Sequence, residues 1–97
     1  MYYQAVKITY DLAKREINLK RHKVDLADVE GVFTDIFALT REDRDHDEER
    51  FVTLGTDGFG RLLVVAYTYR KQNEIRVISA RFAEPHERRC YEEGGRP

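Results

Sequence analysis

The chain has 97 residues, of which 41% are hydrophobic and 36% are charged, and its net charge is -1. This length fits a single domain (residues 1–97) with little room for an enclosed cavity, so we expect a protein that works on an open face. The single cysteine, Cys90, excludes an internal disulfide and fits a reducing compartment. Neither a long apolar stretch nor a signal peptide is visible, which predicts a cytoplasmic protein with no membrane partner.

The N-terminal part of the chain predicts a strand followed by a helix. Residues 6–9 alternate apolar and polar side chains, as in a half-buried strand. Asp11 can cap a helix over residues 12–22, because its carboxylate accepts hydrogen bonds from the free amides of the first turn. Leu12 and Ile17 would belong to the apolar side of this helix.

A second helix is predicted after Asp25, which is another N-cap residue. Its buried stripe would consist of Leu26, Val29, Val32 and Phe33. Residues 35–40 would follow this helix as a short extended segment. Residues 41–49 are too charged for a core, and we expect them to form an exposed loop.

The C-terminal half predicts a series of strands and a final helix. Strands are expected at residues 51–54, 61–69 and 74–81, with turns at Asp57-Gly58 and Lys71-Gln72-Asn73. Pro85 favours the start of a helix that continues to about Glu93 and ends at Gly94-Gly95. The order of elements predicts an α+β fold, in which an antiparallel sheet packs against two N-terminal helices and carries a C-terminal helix.

Alternation along the last predicted strand divides its side chains between two faces. One face would carry Arg76, Ile78 and Ala80, and the other Ile75, Val77, Ser79 and Arg81. Arg70 ends the preceding strand and would pair near Glu74, so Arg81 would lie farther from it.

An ordered series of short motifs extends from Tyr10 to Glu92. Its first part is Asn18-x-Lys20-x-His22-x-Val24, Val32-Phe33-x-Asp35, an acidic stretch with Asp43, Asp45 and His46, and Glu49-Arg50. Its second part is Gly55, Leu62-Leu63-Val64-Val65, Tyr67-Thr68-x-Arg70, Ile75 to Ala83 with the sharpest motif at Arg76 to Arg81, and Glu87, Arg88, Arg89 and Tyr91. This series resembles the BrnT family of toxins. The chain departs from the family at Tyr10, where Trp is common, at Glu84, where a Thr-like cap is usual, and in its slightly acidic net charge.

The resemblance to BrnT implies a RelE-like fold and an endoribonuclease that arrests translation without a cofactor. RNA would be the substrate. The resemblance also implies a BrnA-like ribbon-helix-helix antitoxin, which would cover the toxin and through which the complex would bind operator DNA.

Metal-free RNA cleavage needs groups that transfer protons and cations that stabilise the charged transition state. His22 suits proton transfer near neutral pH, and arginine suits phosphate because its planar fork donates two parallel hydrogen bonds. We therefore predict His22, Arg70 and Arg81 as catalytic residues, with Lys20 positioning the backbone. The other residues predicted to contact RNA are Glu49, Arg50, Tyr67, Arg76 and Ser79.

Structural alternatives exist for these residues. His22 can bind free carbonyls at the helix end, and arginines on a sheet often form ion pairs. Glu49 and Arg50 can neutralise each other. Tyr67 can stack on a base or pack within the sheet. Glu87 is a candidate partner for Arg70 or Arg81.

Two other functions are open at this point. One is a non-catalytic RelE-like module that binds RNA or a protein. The other is a calcium-binding protein, since Asp43-x-Asp45-x-Asp47 matches the start of an EF-hand loop; Glu48 and Leu54, however, stand where that loop needs Gly and Glu. His22 and His46 have no partner with zinc-site spacing. No metal site is therefore predicted.

Overall fold

The computed structural model describes residues 6–44, 47–71 and 73–94. Its elements are strand β1 (Lys7–Tyr10), helix α1 (Leu12–His22), the 3₁₀ helices Leu26–Asp28 and Glu30–Thr34, strands β2 (Leu39–Asp43), β3 (Arg50–Thr56), β4 (Leu62–Arg70) and β5 (Glu74–Phe82), and helix α2 (Pro85–Glu92). Of the residues used in the predictions above, Asp45, His46, Gln72 and Gly95 lie outside the described residues. The α+β class is confirmed.

The five strands form one mixed sheet in the order β1-β5-β4-β3-β2. Strands β2 to β5 pair antiparallel, whereas β1 runs parallel to β5. The prediction of a purely antiparallel sheet is therefore wrong at β1. Parallel pairing needs a long connection, and the chain between β1 and β5 supplies one. The prediction of a loop from residue 41 is also wrong, because Arg41 to Asp43 pair with β3.

Helix α1 has the predicted bounds but not the predicted buried side. The Asp11 carboxylate accepts a hydrogen bond from the Lys14 amide at 3.1 Å. Leu12 and Ile17 are 73% and 53% exposed, whereas Asn18 is buried. A polar side chain therefore fastens α1 to the sheet.

The predicted second helix consists of two 3₁₀ helices. Leu26, Val29 and Val32 are nevertheless fully buried, as expected. A 3₁₀ helix has three residues per turn, so side chains three apart lie directly above one another. This apolar spacing therefore suits a 3₁₀ helix as well as an α-helix.

The core lies between one face of the sheet and the N-terminal helices. Its buried residues are Val24, Leu26, Val29, Val32, Leu63, Val65, Tyr67, Ile75, Val77 and Ala80. Helix α2 is tied to the fold by Tyr91, whose hydroxyl donates to Asp35 Oδ2 at 2.7 Å and accepts from Thr56 at 3.2 Å. In the described ranges, none of the helices has the length and apolar character that a membrane crossing requires.

Candidate functional site

The sheet face opposite the core is open and basic. Strand pairing and alternation place on it Lys7, Arg41, Asp43, Arg50, Thr68, Arg70, Glu74, Arg76, Ser79 and Arg81. Cations outnumber carboxylates in this set, although the net charge of the chain is -1. A locally positive face can hold a phosphate backbone even when the total charge is near zero.

A β-bulge in β5 brings both of its arginines onto this open face. Val77 and Ser79 pair with consecutive residues of β4, so Ile78 between them is an extra residue. Because an extra residue reverses the alternation beyond it, Arg76 before the bulge and Arg81 after it point to the same side. The prediction that these two arginines lie on opposite faces is therefore wrong.

An open groove of about 330 Å³, the His22 groove, lies where β5 passes the end of α1. It is lined by His22, Arg41, Val52, Val64, Ala66, Ser79, Ala80 and Arg81. His22 is half-buried, and within the described part of the chain its imidazole has no hydrogen-bond or ion-pair partner. An imidazole beside two guanidinium groups can move a proton next to a bound oxyanion.

Asn18 positions His22 by fixing α1 on the edge of β5, beyond the end of β1. Its side-chain nitrogen donates to the carbonyls of Val24 and Ala80 at 2.8 Å each, and its oxygen accepts from the Ala80 amide at 3.0 Å. His22 follows Asn18 by four residues and so lies on the same side of the helix. The imidazole is thereby directed toward the groove.

Arg81 is oriented by a carboxylate on α2. Glu87 accepts hydrogen bonds from both terminal nitrogens of Arg81, at 2.8 and 2.9 Å. The Arg81 guanidinium lowers the pKa of Glu87 to about 2, and the hydrogen bond to Glu87 raises the pKa of Arg81. The Arg81 side chain is still 37% exposed, so the ion pair leaves it accessible from the groove.

A smaller groove of about 140 Å³, the Arg70 groove, lies farther along the same face. Lys14, Arg70 and Arg76 are its basic lining residues, and the Nε of Arg76 is buried without a hydrogen-bond partner. Arg81 pairs with Val64, six residues from Arg70 on β4, which is roughly 20 Å along an extended strand. Arg70 and Arg81, both predicted as catalytic residues, therefore lie in different grooves.

Tyr67 lies in the core and not on the open face. Its side chain is 3% exposed, and its ring packs edge-on against Phe33 with centroids 4.9 Å apart. Its hydroxyl shares a 2.8 Å hydrogen bond with Thr53. The predicted contact between Tyr67 and RNA is therefore wrong, and the packing alternative describes its position.

Three other predicted RNA contacts differ in their placement. Lys20 is exposed and lies on the far side of α1 from Asn18, since two residues turn a helix by about 200°. It lines neither groove, and its contact with the RNA backbone stays a prediction. Arg50 lies on the open face and pairs with Glu48 at 3.1 Å rather than with Glu49, which is exposed.

The chain matches known proteins both in sequence and in fold. The sequence model for the ribonuclease toxin BrnT of type II toxin–antitoxin systems matches residues 10–87. The chain belongs to the BrnT family. Its fold is similar to that of the Brucella abortus ribonuclease toxin BrnT, with a TM-score of 0.64 and 23% identity, over 82% of this chain and 99% of that one. No curated protein matches the chain.

The segment shared with the BrnT family contains three groove or positioning residues that the sequence analysis did not select. Arg41 belongs to the segment predicted as an acidic loop, and the charged residues Arg41 to Asp43 show no apolar alternation that would mark a strand. Lys14, Asn18 and His22 lie four residues apart, and this helical spacing could have identified Lys14 and Asn18. Over residues 6–44, 47–71 and 73–94, no three His, Cys, Asp or Glu side chains are grouped so that they could hold a metal ion.

Proposed function

We propose that this BrnT-family protein is a cytoplasmic, RelE-like endoribonuclease toxin that cleaves RNA without a metal ion and thereby arrests translation. The observation that supports this proposal best is the His22 groove, where His22, Arg41 and Arg81 surround one open space on the basic face. The groove is open to the solvent and not an enclosed cavity, as an endonuclease requires.

In this mechanism His22 transfers the proton of a 2′-hydroxyl. The freed oxygen attacks the adjacent phosphorus and the bond to the 5′ oxygen breaks, leaving a 2′,3′-cyclic phosphate. The departing 5′ oxygen takes a proton from water, and protonated His22 returns its proton to the solvent. Arg41 and Arg81 stabilise the additional negative charge on the phosphate oxygens. Ser79 can donate a hydrogen bond to the same phosphate.

The Arg70 groove would bind phosphates outside the cleavage position. Lys14, Arg70 and Arg76 line it, and Arg50 lies on the same face. Because these cations are several residues along the strands from Arg81, they hold the RNA in register without touching the reacting atoms. Such contacts fix the backbone and carry no base preference.

A type II toxin acts together with an antitoxin. We propose that a BrnA-like ribbon-helix-helix protein covers the basic face with acidic and apolar side chains and carries the complex to operator DNA. The excess of cations on the open face supports an acidic partner, since opposite charges steer association.

The test is RNA integrity after incubation with the purified protein in EDTA. We expect the wild-type chain to shorten the RNA, and His22→Ala and Arg81→Ala each to slow cleavage by about 100-fold. Lys20→Ala is the matched control, because Lys20 lines neither groove. RNA that shifts in mobility but stays intact would instead indicate a non-catalytic RNA-binding module.

A further inference from the structure

A third groove, the Cys90 groove, lies on the open face where α2 overhangs β2, β3 and β4. It has a volume of about 260 Å³ and a largely apolar surface. Its floor consists of the aliphatic residues Leu39, Val52, Leu54 and Val64, and its α2 wall consists of His86, Glu87 and Cys90. Neither proton transfer nor phosphate binding explains an aliphatic recess at this position.

The Cys90 groove continues directly into the His22 groove. Arg41, Val52 and Val64 line both of them. The side chain of Arg41 has no ion-pair or hydrogen-bond partner among the described residues, so its guanidinium is available at the junction. One ligand can therefore place an anionic group near Arg41 and Arg81 and an apolar group over Leu54.

We propose that the Cys90 groove binds a nucleobase of the RNA substrate, next to the phosphate that lies in the His22 groove. This inference rests on the proposed function and adds a base-binding subsite to it. A nucleotide joins a flat ring, whose faces can pack on aliphatic side chains, to an anionic phosphate, which matches an aliphatic recess joined to a cationic groove. Arg41 and His86 are planar groups on which a base can stack.

The first experiment uses the unmodified chain and its single cysteine. Cys90 is exposed and lines the groove, so its alkylation rate reports whether the groove is filled. The probes are 2′-O-methyl RNA hexamers, which lack the attacking hydroxyl, and an abasic hexamer with the same phosphates. We expect saturating base-containing RNA to slow alkylation by about tenfold and the abasic hexamer by about twofold or less. Equal protection by both would overturn the proposal.

The second experiment fills the groove. Cys90→Trp should weaken binding of the 2′-O-methyl hexamers by about tenfold and flatten the base preference of cleavage. Ile17→Trp is the matched control, because it adds the same ring, without a charge change, at an exposed helix position outside the grooves. If Cys90→Trp binds RNA normally but no longer binds the antitoxin, the groove is a protein-docking site and the proposal fails.

The two proposals fail in different ways. If base-containing RNA protects Cys90 from alkylation but the protein does not shorten RNA, the base-binding subsite is supported and the nuclease is contradicted. Cleavage without base-dependent protection would support the nuclease and contradict the subsite. If Cys90→Trp does not fold, the alkylation experiment on the unmodified chain decides the matter.

Discussion

Asn18 and Ala80 exchange two hydrogen bonds, one in each direction, between the side chain of α1 and the backbone of β5. The side-chain amide of Asn18 thus occupies the place of a peptide group from a neighbouring strand. An uncovered strand edge leaves its amides and carbonyls unpaired, and this pair closes the edge of β5 where β1 ends. It also determines where α1 presents His22.

Asn18→Ala should destabilise the protein by about 2–3 kcal/mol, because it leaves the buried amide and carbonyl of Ala80 and the carbonyl of Val24 without partners. Urea unfolding of the variant and the wild type measures this loss. Ile17→Ala, at the adjacent exposed position, should change the free energy of unfolding by less than about 0.5 kcal/mol. Equal losses in the two variants would show that Asn18 does not hold α1.

The ion pair between Glu87 and Arg81 should stabilise the fold at neutral pH but not at strongly acidic pH. The pKa of Glu87 is lowered from 4.5 to about 2 in the folded chain. A carboxyl whose pKa is depressed by folding contributes stability above its unfolded pKa, and this contribution is lost as the pH falls toward the folded pKa.

Glu87→Gln should therefore lower the free energy of unfolding by about 1 kcal/mol at neutral pH, since the pair is only partly buried. The difference in the free energy of unfolding between the variant and the wild type should stay constant down to about pH 4.5 and shrink from about pH 4.5 to about pH 2. Urea unfolding across this range measures it, with Glu16→Gln, at an exposed helix position, as the control. A difference that grows as the pH falls would have the wrong sign for this pair.

Local patterns in the sequence were sufficient to predict most of the secondary structure. Asp11 and the residues after it predict α1 with its observed bounds, because a cap and a helical pattern are properties of neighbouring residues. The predicted strands likewise lie within one or two residues of β3, β4 and β5. The fold class and the predicted family followed from this order of elements and motifs.

Features that depend on pairing between distant residues were not predictable in this way. Two consecutive apolar residues, Val77 and Ile78, interrupt the alternation of β5, but only the pairing with β4 shows that Ile78 is an extra residue of a bulge. The bulge nevertheless places Arg76 and Arg81 on the same face of the sheet. Arg41 was missed for a related reason, because pairing with β3 keeps a highly charged segment in a strand.

Tyr67→Phe tests the corrected position of Tyr67. The variant loses the hydroxyl that is hydrogen-bonded to Thr53, so the free energy of unfolding should fall by about 1 kcal/mol. RNA cleavage should stay within about twofold of the wild type, because the ring is buried on the covered face and contributes no stacking surface for a base. A larger loss of cleavage in a stable variant would show that Tyr67 contributes to the RNA site.

Lys14 and Lys20 lie on the same helix, but only Lys14 lines the Arg70 groove. If RNA follows the basic face, Lys14→Ala should weaken binding of uncleavable 2′-O-methyl RNA by several-fold at low salt and reduce the slope of log affinity against log salt by about one. Lys20→Ala removes the same charge from the far side of α1 and should leave both quantities nearly unchanged. Fluorescence anisotropy over a range of salt concentrations measures them. Equal losses for the two lysines would place the RNA on the outer surface of α1 and away from His22, which would remove the geometric basis of the nuclease site.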